Sequence, residues 1–125
     1  MLGHLTTPLA WEQACQQGIY RAESLELDGF IHLSRDAQLL LAANTHYRGR
    51  TDLVVLVIDQ ARLEPGALID EAGSPPHSEL IFPHLYSPLS LDAVRAVVPF
   101  PCESDGTFRW PEVLDAPCGE RPAGC

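Results

Sequence analysis

Leu53-Val54-Val55-Leu56-Val57-Ile58 is an unbroken run of aliphatic residues, and its reading decides the fold. A strand with one face in water alternates apolar and polar side chains. This run does not alternate, so it reads as a strand covered on both faces and central in a sheet. A polar connector containing Gly49 and ending at Asp52 precedes it. Before that, Leu39, Ala43, His46 and Tyr47 form one stripe of a helix expected from Arg35 to about Tyr47. Leu40 and Leu41 widen the stripe, so the helix is expected to pack deeply. Ser34 is placed to cap it, and Asp36 suits the positive end of its dipole. Asp28-Gly29 marks a turn, and Phe30-Leu33 then reads as a strand with Phe30 and His32 on one face and Ile31 and Leu33 on the other. At the start, Leu2-Thr6 reads as an opening strand. Thr7-Pro8 starts a helix over Pro8-Gln17, with Trp11, Ala14 and Cys15 on one face and Gly18 as its stop.

Downstream of the run, Gln60-Pro65 is a turn or helical fragment and Ala67-Asp70 a short strand. Gly73-Ser74-Pro75-Pro76 is a loop, because two prolines supply no ladder donors. Leu80-Tyr86 is apolar but broken by Pro83 and His84, and reads as an irregular strand or a loop at a sheet edge. Pro88-Asp92 is a turn and Ala93-Phe100 a further strand. Asp105-Gly106 can turn a hairpin with Phe108 and Trp110 on its returning arm. The elements do not alternate regularly. The expectation is a compact α+β single domain over residues 1–110, with a bent or split, mostly antiparallel sheet and about two main helices. Residues 111–125, rich in Gly, Pro and charge, are expected to form a flexible tail.

The chain has 125 residues, 46% of them hydrophobic and 20% charged, which fits one globular domain and excludes a disordered chain. It carries 17 acidic against 8 basic residues, all of the latter Arg, for a formal charge of -9. Such a surface repels a phosphate backbone, which argues against RNA or DNA as partner. No apolar run approaches the roughly 20 residues of a membrane span, and the start of the chain lacks a signal-peptide pattern. A cytoplasmic location is expected. Cys15, Cys102, Cys118 and Cys125 form no C-x-x-C pair and are expected as free thiols.

The phosphate loop, G-x-G-x-x-G, G-x-S-x-G and H-E-x-x-H are all missing from the sequence. The chemistry-bearing oddities lie elsewhere. Phe30-Ile31-His32-Leu33-Ser34 sets an imidazole between aliphatic residues just before a helix start, where amides can receive an anion. In Glu79-Leu80-Ile81-Phe82-Pro83-His84-Leu85-Tyr86, three polar groups interrupt an apolar run and must find partners or line a cleft. His84 suits acid, base or donor chemistry at neutral pH. The bland alternative is a hydrogen-bonded network bracing a rigid loop. His4 and Thr6 alternate onto one face of the opening strand and could face the same cleft. His46 reads as a packing residue and His77 as an exposed loop residue. His4, His32, His84 and Glu79 lack ligand spacing, so no metal is expected.

The segment DGFIHLS at Asp28-Ser34, then LVVLVID, then ELIFPHLYSPLSLDAV at Glu79-Val94 resembles the DUF952 family of small bacterial proteins. The opening HLTTPLAWEQACQQG resembles the way those proteins begin, and the likeness covers residues 2–100. The family in turn is similar to the ADP-ribosyltransferase and RNA 2'-phosphotransferase superfamily. That resemblance implies an ADP-ribosyltransferase-like fold, a cleft for NAD or an ADP-ribosyl compound, and transfer chemistry. It implies that His4 holds the nicotinamide-side ribose, that His32 or Ser34 lies in the ligand cleft, and that Glu79 or His84 supplies the final catalytic group. Together with the residue reading, His32, Glu79 and His84 are expected as catalytic and His4, Thr6, Ser34 and Tyr86 as cofactor-binding. The superfamily's His-Tyr-Glu trio is not matched residue for residue, since His32 or Ser34 stands where a Tyr is expected. The RNA-acting branch relies on several basic residues, which this Lys-free chain lacks. A pyrophosphate needs only one or two donors, for which Arg21, Arg35 and Arg48 are candidates. Two other functions fit the same residues: a non-catalytic nucleotide or metabolite binding module, and a structural or protein-interaction domain.

Overall fold

The computed structural model describes residues 1–115. Strand β5, Val54–Ile58, is buried at every position, as the aliphatic run requires. It pairs antiparallel with β1, Leu2–Thr6, on one side and with β9, Val94–Pro99, on the other. The short β4, Ser34–Arg35, completes a four-stranded sheet in the order β4-β1-β5-β9. Val54, Leu56 and Ile58 face one apolar core together with Trp11, Tyr20, Ile31 and Leu85. Val55 and Val57 face a second core with Leu39, Ala43, Phe100 and Phe108. The sheet therefore separates two cores, which is why its central strand has no polar face.

Helix α1, Pro8–Gln17, closes the first core, and α3, Gln38–His46, closes the second. The Thr7 hydroxyl accepts from Ala10 N–H at 3.1 Å, and Gly18 ends α1 with φ of 82°. A third, short helix, α2, covers Glu23–Leu27. It carries Leu25 onto the first core, and the sequence pattern had not marked it. The remaining strands are β2, Ile19–Tyr20, paired with β8, Leu89–Ser90, and an antiparallel sheet ordered β3-β7-β6. Its members are β3, Ile31–His32, β7, Ile81–Leu85, and β6, Leu68–Ala72. The α+β class with split antiparallel sheets is thus as expected.

Several local expectations are corrected. Ser34 does not cap a helix. Its backbone is a strand residue opposite Gly3, and α3 begins only at Gln38, after Asp36 turns the chain at φ 46°. Leu80-Tyr86 is no edge: β7 is the middle strand of its sheet. Pro83 is tolerated there beside a β3 of only two residues, and its carbonyl still accepts from Leu33 N–H at 3.1 Å. Phe108 and Trp110 follow an irregular path instead of a strand, although Phe108 packs on Phe100. The segment expected as a tail contains a helical turn at Glu112–Asp115, and from residue 116 it lies outside the described residues. Cys102 is a free thiol, while Cys15 is disulfide-bonded, contrary to expectation. Cys118 and Cys125 lie outside the described residues. No helix among the described residues is long and apolar enough to cross a membrane.

Candidate functional site

All five histidines of the chain, His4, His32, His46, His77 and His84, line one cavity of about 630 Å³. That volume lies in the range of small-molecule sites. Thr6, Tyr20, Arg21, Asp28 and Ser34 line it too. Five of the seven expected site residues therefore converge: His4, Thr6, His32, Ser34 and His84. Glu79 and Tyr86 do not line it. Glu79 is exposed on the turn that precedes β7, and Tyr86 is exposed just beyond that strand.

Strand register explains the heart of the site. His32 of β3 stands directly opposite His84 of β7, and cross-strand partners project on the same face. Their ring centroids are 5.5 Å apart, edge to face. Ile31 and Leu33 alternate to the other face and are fully buried, which locks that orientation. Phe30 shares the face of His32 and stacks on the His84 ring at 3.9 Å.

Each imidazole is braced by a carboxylate. His32 Nε2 donates to Asp28 Oδ2 at 3.0 Å, and His84 Nδ1 donates to Glu71 Oε2 at 2.7 Å. The second nitrogen of each ring, Nδ1 of His32 and Nε2 of His84, has no partner among the described residues. Environments differ: the His32 side chain is 42% exposed and that of His84 is 3% exposed. Glu71 also accepts a short hydrogen bond from the Tyr86 hydroxyl. The Tyr86 and His84 donors together hold the Glu71 carboxyl below its usual range, and the same carboxylate raises the Tyr86 hydroxyl.

The His4 corner is built differently. His4 Nδ1 donates to the His32 carbonyl at 2.7 Å, and its Nε2 lies 2.8 Å from the Tyr20 hydroxyl. Burial lowers its pKa to about 4, so the ring is neutral at neutral pH. With the single ring proton committed to a carbonyl, Nε2 must accept from Tyr20. Thr6, 2.9 Å from the Tyr20 oxygen, then donates to it. Burial also raises the Tyr20 hydroxyl. Both nitrogens of His4 are thus spent inside the fold.

At the far end of the cavity lie His46 and Tyr47 from the end of α3, and His77 from the loop before β7. The Thr45 hydroxyl donates to the Leu41 carbonyl, so His77 Nε2 donates to Thr45 Oγ1 at 2.8 Å. His46 is an exposed cavity-lining residue and not a packing residue, and His77, expected as an exposed loop residue, is a half-buried loop residue that lines the cavity. Arg21 lines the cavity without an ion pair among the described residues, whereas Arg50 is held by Asp52 at 2.7 Å. Of the other phosphate candidates, Arg35 pairs with Asp70, and neither Arg35 nor Arg48 lines the cavity. Among the described residues no group of three or more His, Cys, Asp or Glu could hold a metal ion.

The DUF952 family, described as protein of unknown function, matches residues 5–97. The chain belongs to the DUF952 family. Both dyad histidines and both bracing carboxylates lie within the matched span. The chain is similar to the crystal structure of protein CC0527 from Caulobacter crescentus, with 29% identity and a TM-score of 0.79 over 92% of this chain and 98% of that one. The solution NMR structure of CC0527 is 30% identical, with a TM-score of 0.71 over 86% of this chain and 90% of that one. Among curated proteins nothing matches the chain.

Sequence reasoning missed Asp28, Glu71 and Tyr20 as site residues. Asp28 was legible, standing four residues before His32 beside a turn. Glu71 was not: it reaches His84 only through the β6-β7 ladder, in which Ile69 stands opposite His84 and Glu71 lies diagonally on the same face.

Proposed function

We propose that this DUF952 protein is an enzyme acting on a small nucleotide-class metabolite, with NAD or another ADP-ribosyl compound as the ligand class. One observation carries the reading: two carboxylate-braced imidazoles stand side by side on a cavity of ligand size, each with one nitrogen uncommitted. A carboxylate that takes one N–H fixes the tautomer and leaves the other nitrogen to exchange a proton with a ligand. His32 and His84 are the proton-transfer residues in this reading. Ser34 and Thr6 offer hydroxyls to a sugar, and Arg21 offers a cation at the mouth. His4 acts through Tyr20, holding the floor of the cleft. ADP-ribosyl transfer is the reaction the family resemblance implies, and the carboxylate assigned to it was Glu79. Asp28 and Glu71 are the carboxylates that reach catalytic candidates, Asp28 from within the cavity lining and Glu71 from outside it.

A non-catalytic binding module is the second reading. It is favoured by the engagement of His4 at both nitrogens and by the distance of Glu79 from the cleft lining. A purely structural role predicts a closed cleft, which a volume of about 630 Å³ opposes. The test is a titration of the protein with NAD, followed by histidine ring NMR signals and by nicotinamide release. Shifts at His32 and His84 with turnover support the enzyme. Shifts without any turnover leave the binding module, and silence at millimolar NAD removes the dinucleotide.

A further inference from the structure

We infer that the His32–His84 pair is an acid–base couple for hydrolysis of a phosphodiester, and that the substrate class is a nucleoside cyclic phosphodiester. The inference rests on the proposal that the cavity takes a nucleotide, and it names the bond that breaks. Release of nicotinamide from NAD needs no proton at the leaving ring. It is aided by a carboxylate facing the sugar carbon. Of the carboxylates that hold the paired histidines, Glu71 is committed to two donors outside the cavity lining and Asp28 to His32, while Nδ1 of His32 and Nε2 of His84 have no partner among the described residues. A phosphoester bond needs both of them, one to take a proton from the entering oxygen and one to give a proton to the leaving oxygen. With ring centroids 5.5 Å apart, both rings can reach oxygens on one phosphorus.

Charge points the same way. A diester carries only one negative charge, and the cavity lining sets Arg21, which has no ion pair among the described residues, against the carboxylates of Glu23 and Asp28, a balance that suits a ligand of low charge. Arg50 is already paired with Asp52, which leaves Arg21 as the guanidinium available to a ligand.

The step balances with water alone. The free nitrogen of His32, the more exposed ring, takes a proton from water as the water oxygen bonds to phosphorus. The ester P–O bond to the sugar breaks, and that oxygen takes the proton of the His84 imidazolium at Nε2. The cyclic diester becomes a monoester, and the two histidines exchange their proton states with solvent before the next turnover. Asp28 and Glu71 are positioning residues that fix which nitrogen is free.

The test uses the full chain with adenosine 2',3'-cyclic monophosphate, followed by ³¹P NMR. Conversion of the cyclic-ester signal to a monoester signal is expected, slowed at least 100-fold in His32→Ala and in His84→Gln and unchanged within a few fold in Glu12→Gln, an exposed position outside the cavity lining. His32→Ala carries the mutational test if the buried His84→Gln fails to fold. Shifts of the His32 and His84 ring signals by the cyclic nucleotide without ring opening overturn the inference and leave the nucleotide-binding proposal standing. Nicotinamide release from NAD with no ester cleavage also overturns it, in favour of ADP-ribosyl transfer. Absence of binding by both ligands overturns inference and proposal together.

Discussion

The four-stranded sheet and the three-stranded sheet divide the labour of this fold. In the first, β5 is buried along its whole length between two cores. In the second, β6 is mostly exposed, β3 has two residues, and β7 is interrupted by Pro83. The first sheet has apolar contacts on both faces. The second has one apolar face and one polar face, and the polar face carries His32, His84 and Glu71. The deepest burial lies where side chains are uniform, and the candidate site where they are not. The contrast predicts unequal responses to truncation. Leu56→Ala in β5 should cost roughly 2–5 kcal/mol in urea unfolding, because it removes a fully buried side chain from the first core. Ile81→Ala at the exposed start of β7 should stay within about 0.5 kcal/mol. Equal costs would mean that the second sheet contributes as much as the first.

His4 breaks the simple division, because it is a polar residue of the stable sheet. Its neutral ring is buried and its folded pKa is about 4, against an ordinary 6.5. The unfolded chain therefore binds the proton more readily than the folded one between those values. The contribution of the neutral ring is complete above about pH 7 and is lost as pH falls from 6.5 towards 4. The expected loss is roughly 3 kcal/mol, read from urea unfolding at a series of pH values. His4→Leu should lose most of that dependence. A wild-type stability that stays flat over the same window would show that the ring is not held neutral.

The same contrast explains what could be read from sequence. The run at Leu53-Ile58 disclosed its central place because burial on both faces leaves a compositional mark in the segment itself. His32 and His84 were legible because an imidazole among aliphatic residues has to be explained locally. Their meeting was not, because it depends on the register of β3 against β7. Glu71 was invisible for the same reason, and Glu79 drew attention only by standing at the edge of an apolar run. Ser34 misled because a serine before a helical stripe has the pattern of a cap, while its backbone was needed by β1.

The loop joining the second sheet to the cavity offers a smaller perturbation. A Cβ at Gly73 would lie 2.6 Å from Phe82 Cδ1 and 2.9 Å from the His77 carbonyl. Phe82 and His77 both line the cavity, so Gly73→Ala should move the cavity wall as it destabilises the fold, by about 1–3 kcal/mol. Thermal melting reads the cost, and His77 ring NMR signals read the displacement. A stable variant with an unmoved His77 would show that the loop yields away from the site, decoupling cavity shape from the packing of β7.

The smallest effect is expected at the outer end of the polar relay. Tyr86→Phe removes the donor that contributes most to lowering the Glu71 carboxyl, so that carboxyl should titrate closer to its ordinary range. A lowered carboxyl stabilises the fold above its unfolded pKa and loses that contribution as pH falls through its folded value. Tyr86→Phe should therefore be slightly less stable than the parent chain at neutral pH, and the two should approach each other in acid. The His84 hydrogen bond to Glu71 does not depend on Tyr86, so the His84 ring signals should hardly move. Glu71→Gln should move them strongly, because an amide in place of the carboxylate removes the charge that His84 Nδ1 faces. If Tyr86→Phe displaces the His84 signals as far as Glu71→Gln does, the exposed tyrosine also sets the orientation of the buried imidazole, and the polar face of the second sheet works as one unit from solvent to cavity.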